Sequence, residues 1–173
     1  MKTLYFFFLL GICSISAQEK ETISQNREAY VGIKTKVDFQ KEPHAKWFNE
    51  EYDHYEYKNK VIQKLKKHKD QITIKVFMSV WCHDSHREIP RLYKILEAVN
   101  FDTSKLEVIA LNRAKKAPGN PQENFDIQRT PTLIFFKNGE EIGRFVEKPI
   151  QRLEKDLLKI WSGKNYKHAY AKD

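Results

Sequence analysis

The stretch that decides the fold is Val80-Trp81-Cys82-His83-Asp84-Ser85. Before it, apolar side chains alternate along residues 71–80, which predicts a strand. After it, apolar side chains recur at helical spacing from Ile89 to Val99, which predicts an amphipathic helix. Cys82 therefore lies where a strand ends and a helix begins. Because backbone N–H groups at a helix N-terminus lack partners and the helix dipole favours negative charge, a thiolate is stabilised there and Cys82 is predicted to be reactive.

Length and composition fit one domain with additions at both ends. The chain has 173 residues, of which 40% are hydrophobic, enough for a substantial core. It divides into a secretory signal peptide at 1–17, an N-terminal extension at 18–55, a folded domain at 56–163 and a polar tail at 164–173. No internal repeat or low-complexity segment interrupts this division.

The first 17 residues have the features of an export signal. Lys2 is followed by an apolar run from Leu4 to Ile12 and by small residues up to Ala17, where cleavage is predicted. The run is too short to span a bilayer, so the protein is expected to be exported, either periplasmic or secreted, with no membrane span. Lipid anchoring at Cys13 is not expected, because the preceding isoleucine is bulky where a small residue should stand.

Cysteine usage narrows the chemistry. The chain has two cysteines, and removal of the signal would leave Cys82 alone. A single cysteine in an exported protein cannot form an internal disulfide, so Cys82 is either an inert buried thiol or a free reactive one. Its place at the strand-to-helix junction favours reactivity.

The basic character of the chain does not predict a nucleic-acid partner. The formal net charge is +8, but the cations are spread over residues 64–69, residues 113–116 and the tail from residue 164. We interpret these groups as solvated faces. An exported protein also has little access to nucleic acid, so this class of partner is set aside.

The order of predicted elements is that of a mixed sheet. A short helix at 56–69 precedes the strand at 71–80, and a second apolar strand at 106–111 follows the helix after Cys82. A strand without polar alternation is usually covered on both faces, as in parallel pairs. Joined by a crossover helix, the two strands are therefore expected to be parallel.

The second half of the chain predicts a hairpin and a closing helix. Residues 112–128 read as a connection. Asn138-Gly139 between two apolar runs is a strong signal for an antiparallel hairpin, because both residues tolerate positive φ. Pro149 is expected at the first position of a final helix that ends before Gly163. The apolar face of this helix would hold Ile150, Leu153, Leu157, Ile160 and Trp161.

The N-terminal extension leaves two interpretations open. Residues 29–37 are a candidate strand, and Trp47, Phe48, Tyr52 and Tyr55 form an aromatic cluster among acidic residues. These aromatic side chains either pack onto the domain or form a partner-binding lip.

Three motifs in a fixed order resemble those of the thioredoxin-like superfamily. Residues 81–85 stand where that family has Trp-Cys-X-X-Cys, and Pro90 matches the proline that kinks its active-site helix. Residues 125–132, followed by 136–140, resemble the segment around the family's cis-proline and hairpin turn. The resemblance covers residues 57–162 and implies an α/β fold, a three-layer sandwich in which a mixed central sheet is flanked by helices.

The resemblance also implies roles for individual residues. Cys82 would be the nucleophile, with Ser85 donating a hydrogen bond to its sulfur as the second catalytic residue. Pro131 would follow a cis bond and lie against the Cys82 sulfur, leaving the Thr130 backbone to pair with a substrate strand. Substrate contacts are therefore assigned to Trp81, His83, Thr130 and Pro131, and modulation of the thiolate to Asp84 and an exposed His86.

Two departures from the family pattern change the expected reaction. Ser85 replaces the resolving cysteine, so attack on a disulfide would stop at a mixed disulfide unless another thiol releases it. Val76 stands where thioredoxins usually carry a buried acid that assists the resolving cysteine. Together these changes predict a monothiol protein.

The main functional hypothesis is thiol–disulfide exchange through Cys82. Its partners would be a client protein or low-molecular-weight thiols and disulfides, with an external reductant or resolving thiol and no cofactor. The hypothesis leaves open whether this makes the chain a catalytic oxidoreductase or isomerase. The alternative is a non-catalytic module that binds a peptide in the groove beside Cys82 and Pro131. A third class is peroxide sensing through a sulfenic acid.

Metal and hydrolase chemistry are weaker interpretations of the same residues. Cys82, His83, Asp84 and His86 are metal-ligating types, but adjacent ligands on one turn point apart and no second pair accompanies them. No metal is therefore expected. A Cys–His hydrolase would need a base within hydrogen-bond reach and an oxyanion hole, which no motif indicates.

Overall fold

A computed structural model describes residues 30–172. The predicted signal peptide at 1–17 lies outside the described residues, as does the first part of the extension. The strands are β1 (Gly32–Lys34), β2 (Ile72–Met78), β3 (Leu106–Ala110), β4 (Thr132–Lys137) and β5 (Glu140–Val146). The α-helices are α1 (Lys36–Phe39), α2 (Ala45–His54), α3 (Asn59–Leu65), α4 (His83–Ala98) and α5 (Leu153–Trp161).

The five strands form one mixed sheet in the order β1-β3-β2-β4-β5. β2 and β3 are parallel and are joined through α4, whereas β1–β3, β2–β4 and β4–β5 are antiparallel. The predicted α/β architecture, a mixed sheet flanked by helices, is confirmed. None of the helices in residues 30–172 is long and apolar enough to cross a membrane.

The central strand β2 contributes to two hydrophobic clusters. Val76 and Met78 belong to the larger cluster, which also takes the buried residues of α2 to α5. Phe77 belongs to a smaller cluster completed by side chains from the connection after β3, including Ala117 and Ile127. Because neighbouring residues of a strand point to opposite faces, these clusters lie on the two sides of β2. The connection between β3 and β4 therefore covers one face of the sheet at this strand.

The predicted hairpin is confirmed. Asn138 and Gly139 separate β4 from β5 and have φ of 53° and 84°. Positive φ at both central residues is the geometry whose twist matches two antiparallel strands, and asparagine and glycine adopt it with little strain.

Two predicted element boundaries are wrong. The final helix begins at Leu153 with Arg152 as its N-cap, so Pro149 precedes it, and Ile150 is 50% exposed and not part of its apolar face. The Ile150 N–H donates to the Asp156 carboxylate at 2.6 Å, which holds this segment outside the helix. The predicted helix at 56–69 is shorter, since α3 ends at Leu65 and a 3₁₀ turn follows at Lys69–Gln71.

Residues 30–55 of the extension pack against the sheet and α4. β1 is an edge strand paired with β3, a contribution that the sequence boundary at residue 56 did not anticipate. Phe48 in α2 is fully buried, with its ring centroid 5.8 Å from that of Tyr93 in α4. Of the two interpretations of the aromatic cluster, packing onto the domain therefore describes Phe48 and the buried Tyr55.

A buried carboxylate fixes the extension to the last helix. The fully buried side chain of Glu154 accepts hydrogen bonds from the Tyr55 hydroxyl at 2.5 Å and from Arg152 Nε at 2.9 Å. Burial alone would raise the pKa of Glu154, but the hydrogen bonds from Tyr55 and Arg152 outweigh it and hold this pKa below its usual value. The charged form of Glu154 therefore stabilises the folded state.

We expect Glu154→Gln to lower the free energy of unfolding by about 1–2 kcal/mol at neutral pH, because it removes a charged acceptor. A carboxyl whose pKa is lowered on folding contributes stability above its unfolded pKa of about 4.3, and this contribution is lost as pH falls through the folded pKa. The difference between wild type and variant should therefore shrink in acid. Urea unfolding from neutral pH to below about pH 4 measures it. Glu140→Gln, at an exposed position in the hairpin, is the control, and a difference that does not change with pH would contradict this role of Glu154.

Candidate functional site

Cys82 lies at the junction that the sequence predicted. It follows the end of β2 and is the N-cap of α4, with φ −92° and ψ 122°. Its carbonyl accepts the hydrogen bond of His86 N at 3.1 Å, so the helix begins at this residue. Cys82 is partly exposed and is the only cysteine among residues 30–172. Cys82 is therefore partly accessible and lies at a helix N-terminus, where negative charge is stabilised.

The segment before β4 lies directly against this cysteine. The thiol of Cys82 donates to the Thr130 carbonyl at 2.9 Å, and the Thr130–Pro131 peptide bond is cis. The Thr130 carbonyl, part of the backbone expected to pair with a substrate strand, therefore already accepts one hydrogen bond from the Cys82 thiol and keeps a second lone pair for a further donor.

Ser85 has a different partner from the one expected. Its hydroxyl oxygen accepts the Ser79 N–H at 3.2 Å, and both residues are fully buried. This bond satisfies a buried backbone donor just after β2 ends. The contact holds the strand end to the first turn of α4 and uses the hydroxyl oxygen as an acceptor, whereas the hydrogen bond assigned from Ser85 to the Cys82 sulfur would use the hydroxyl proton.

The two residues that follow Cys82, His83 and Asp84, have different surroundings. Asp84 pairs with Arg87 at 2.7 Å, one turn along α4, which balances its charge beside the thiol. His83 is exposed, so it can reach a substrate. Asp84 therefore has a partner on its own helix, whereas His83 faces solvent.

His86 is not the exposed side chain that the sequence suggested. It is partly buried, and its ring stacks on Trp47 of α2 with a centroid distance of 4.3 Å and an angle of 8°. Its Nε2 lies 2.6 Å from the Val80 carbonyl. No sequence pattern predicts this contact, because Trp47 is far from His86 along the chain. His86 therefore ties the extension to the start of α4.

A cleft of about 400 Å³ has Cys82 in its lining, together with residues that do not belong to the contact between His86 and Trp47. Trp81 forms part of its wall, and its indole Nε1 is buried without a hydrogen-bond partner among the described residues. The Arg113 guanidinium lies 5.4 Å from the centre of the Trp81 ring. The lining consists of Trp81, Cys82, Lys115, Gln128, Arg129, Thr130 and Glu147.

Sequence reasoning missed most of the charged residues of this cleft. Lys115 was grouped with solvated cations, and Glu147 was not singled out. Arg129 belongs to the segment that resembles the region around the family's cis-proline. Its position two residues before Pro131 is the one sequence feature that could have placed it near Cys82. Lys115 and Glu147 come from separate loops, so only the folded chain brings them to Cys82.

The described residues do not form an alternative metal centre. No group of three or more histidine, cysteine, aspartate or glutamate side chains within residues 30–172 is arranged to hold a metal ion. The ring centroids of His83 and His86 are 6.2 Å apart, and His86 is engaged with Trp47. The arrangement is suited to chemistry at sulfur.

Comparisons with known proteins bear on the family and the fold of this chain. The family model described as thioredoxin matches residues 30–158. Solved structures with a similar fold include a protein of unknown function from Pseudomonas aeruginosa, with 15% identity, TM-score 0.50, and coverage of 69% of this chain and 81% of the other. An HIV epitope scaffold has 14% identity, TM-score 0.51, and coverage of 70% and 83%. Thioredoxin O2 from Arabidopsis thaliana in its oxidised state has 18% identity, TM-score 0.40, and coverage of 57% and 84%. No curated protein matches the chain significantly.

Proposed function

Since this chain belongs to the thioredoxin family, we propose that it carries out thiol–disulfide exchange through Cys82 as its single nucleophile. The observation that supports this most is the position of Cys82: partly exposed, at the N-cap of α4, with its sulfur against the segment before Pro131. A thiol in that position is accessible to a disulfide, and the helix end stabilises the thiolate that must attack it.

The proposed reaction is one exchange step. The Cys82 thiol loses its proton to solvent, and the thiolate attacks one sulfur of a substrate disulfide. A bond forms between Cys82 Sγ and that sulfur, the substrate S–S bond breaks, and the other half leaves as a thiolate that takes up a proton. The substrate disulfide is the oxidant, so no further redox partner is needed for this step.

The product is expected to be a stable mixed disulfide. Ser85 occupies the place of a resolving cysteine, and its hydroxyl cannot attack a disulfide to form an internal S–S bond. Release therefore requires an external thiol or reductant. Under this proposal the protein either hands its bound thiol on to that reductant, as an oxidoreductase or isomerase would, or holds a client cysteine.

We also propose that the protein is exported. An oxidising compartment would supply disulfides, and the features of residues 1–17 favour such a location. Because an exported chain would lose Cys13 with its signal, Cys82 would then be the one thiol available for exchange.

The stoichiometry of thiol release tests this function. We expect the full-length chain carrying Cys13→Ser to release one thiol from a small neutral disulfide and to gain one half of that disulfide in mass, at Cys82. The adduct should persist until dithiothreitol is added. No release from the native chain would leave the peptide-binding alternative, and continued release without added reductant would contradict the single-cysteine mechanism.

A further inference from the structure

The cleft beside Cys82 carries a particular set of charges. Lys115 and Arg129 supply two cations and Glu147 one carboxylate to its lining. Glu147 is already engaged, because Arg129 Nη1 lies 3.1 Å from its Oε2. The carboxylate is thus compensated inside the protein, and the cleft keeps an excess of positive charge.

Arg129 is held in place but remains accessible. Glu147 contacts one edge of its guanidinium, and the ring of Tyr170 in the C-terminal tail lies 4.0 Å from it. Nearly half of the Arg129 side chain is nevertheless exposed. A guanidinium has five N–H donors, and the bond to Glu147 uses one of them. A fixed guanidinium with donors to spare suits the recognition of a carboxylate.

The surface between α2 and the start of α4 differs from the cleft in its charged residues. The surface between α2 and the start of α4 is lined by Trp47, His83, His86 and Arg87 together with the carboxylates Glu50 and Glu51. Arg87 on this side is already paired with Asp84 and Glu88. An anion approaching Cys82 would therefore meet its favourable contacts on the side of Arg129 and Lys115.

Building on the proposed function, we propose that the substrate of Cys82 is a small disulfide that carries carboxylates, bound by Arg129 and Lys115. The volume of about 400 Å³ lies in the range of small-molecule sites. The cleft also contains the attacking sulfur itself, so a carboxylate held by Arg129 would place its attached disulfide beside Cys82. The exchange step is the one given above, with a carboxylate-bearing thiol as the leaving group.

A matched set of probes tests this substrate class. The disulfides of 3-mercaptopropionic acid, 2-mercaptoethanol and cysteamine are similar in size and are a dianion, a neutral molecule and a dication. The rate of adduct formation at Cys82 is measured by mass for each probe, using the full-length chain with Cys13→Ser at low salt. Because the three leaving thiols differ in acidity and therefore in intrinsic reactivity, we expect the ratio of the dianion rate to the dication rate to be higher for the native chain than for the same chain in concentrated urea.

Variants of the cleft then locate the cause of the selectivity. Arg129→Gln and Lys115→Gln should each reduce the ratio of the dianion rate to the dication rate by about two- to fivefold, the range for partly exposed ion pairs. Arg129→Lys should keep part of the ratio, because it keeps the charge without the planar fork. Lys67→Gln is the matched control, since Lys67 is exposed and precedes β2, at the end of that strand away from Cys82.

The outcomes separate this inference from the proposed function. If Cys82 reacts with none of the probes, the proposed exchange function itself fails. If all three react but the ratio is the same in wild type, Arg129→Gln and Lys115→Gln, exchange stands and the carboxylate-binding cleft is refuted. An equal loss of the ratio in Lys67→Gln would also refute it, because the selectivity would then come from the net charge of the chain.

Discussion

Replacing Cys82 with alanine is expected to reduce thiol release from disulfides to the uncatalysed background. The variant lacks the sulfur that must form the new bond, and Cys82 is the only cysteine among residues 30–172. The fold should be kept, because the side chain is partly exposed and small, and its loss removes one hydrogen bond, to the Thr130 carbonyl, worth about 1 kcal/mol. Thiol release is measured with the neutral disulfide of 2-mercaptoethanol. Folding is measured by circular dichroism and urea unfolding.

Cys82→Ser is the matched control for this variant. Serine keeps a small polar group that can donate to the Thr130 carbonyl, as the thiol does. We expect it to be as inactive as Cys82→Ala and at least as stable. Thiol release by a folded chain that carries both Cys13→Ser and Cys82→Ala would contradict the assignment of the nucleophile.

Ser85→Cys is expected to convert the protein from one that stops at a mixed disulfide into one that releases both halves of its substrate. Position 85 lies in the first turn of α4, three residues after the N-cap, and side chains at these two positions commonly reach each other's backbone groups. A thiol at 85 could therefore attack the Cys82 mixed disulfide and form an internal bond. The measurement is two thiols released per chain, with loss of the adduct mass.

Ser85→Ala separates this effect from the loss of the serine hydroxyl. That hydroxyl accepts the buried Ser79 N–H, so its removal should destabilise the protein by about 1–3 kcal/mol. It should not change the release of one thiol per chain. A Ser85→Cys protein that folds and still keeps its adduct would show that position 85 does not face the sulfur of Cys82.

Local patterns were enough to predict the part of the fold around Cys82. The alternation up to residue 80 and the helical spacing after it identified β2 and α4, and Asn138-Gly139 identified the hairpin. These signals arise from residues that are close in sequence, where the period of burial and the permitted φ decide the conformation. The junction that holds Cys82 followed directly from them.

Features that depend on distant residues could not be predicted in this way. The stack of His86 on Trp47 and the place of β1 beside β3 exist only after the chain has folded. The late start of α5 depends on Asp156, whose carboxylate holds Ile150 N before the helix begins. Here a tertiary or capping contact overrode the local preference of proline for a first helical position.

In the candidate site too, local features were predicted and features that depend on distant residues were not. The sequence predicted the position of Cys82 at a helix start and the segment around Pro131, which carry their own motifs. It missed that the Thr130 carbonyl accepts the thiol and that Arg129, Lys115 and Glu147 line the cleft. The first of these matters for reactivity, because the thiol must give up the proton that it donates to the Thr130 carbonyl before it can attack a disulfide, at a helix N-terminus where negative charge is stabilised.

The rate at which Cys82 reacts in the folded and the unfolded chain measures the balance of these two effects. The full-length protein with Cys13→Ser is treated with the neutral disulfide at neutral pH, once in native buffer and once in concentrated urea, where neither α4 nor the Thr130 contact is formed. We expect the native chain to react about tenfold faster or more, as stabilisation of the thiolate by the helix end requires. A native rate equal to or below the unfolded rate would mean that the fold shields the thiol, and would contradict Cys82 as an activated nucleophile.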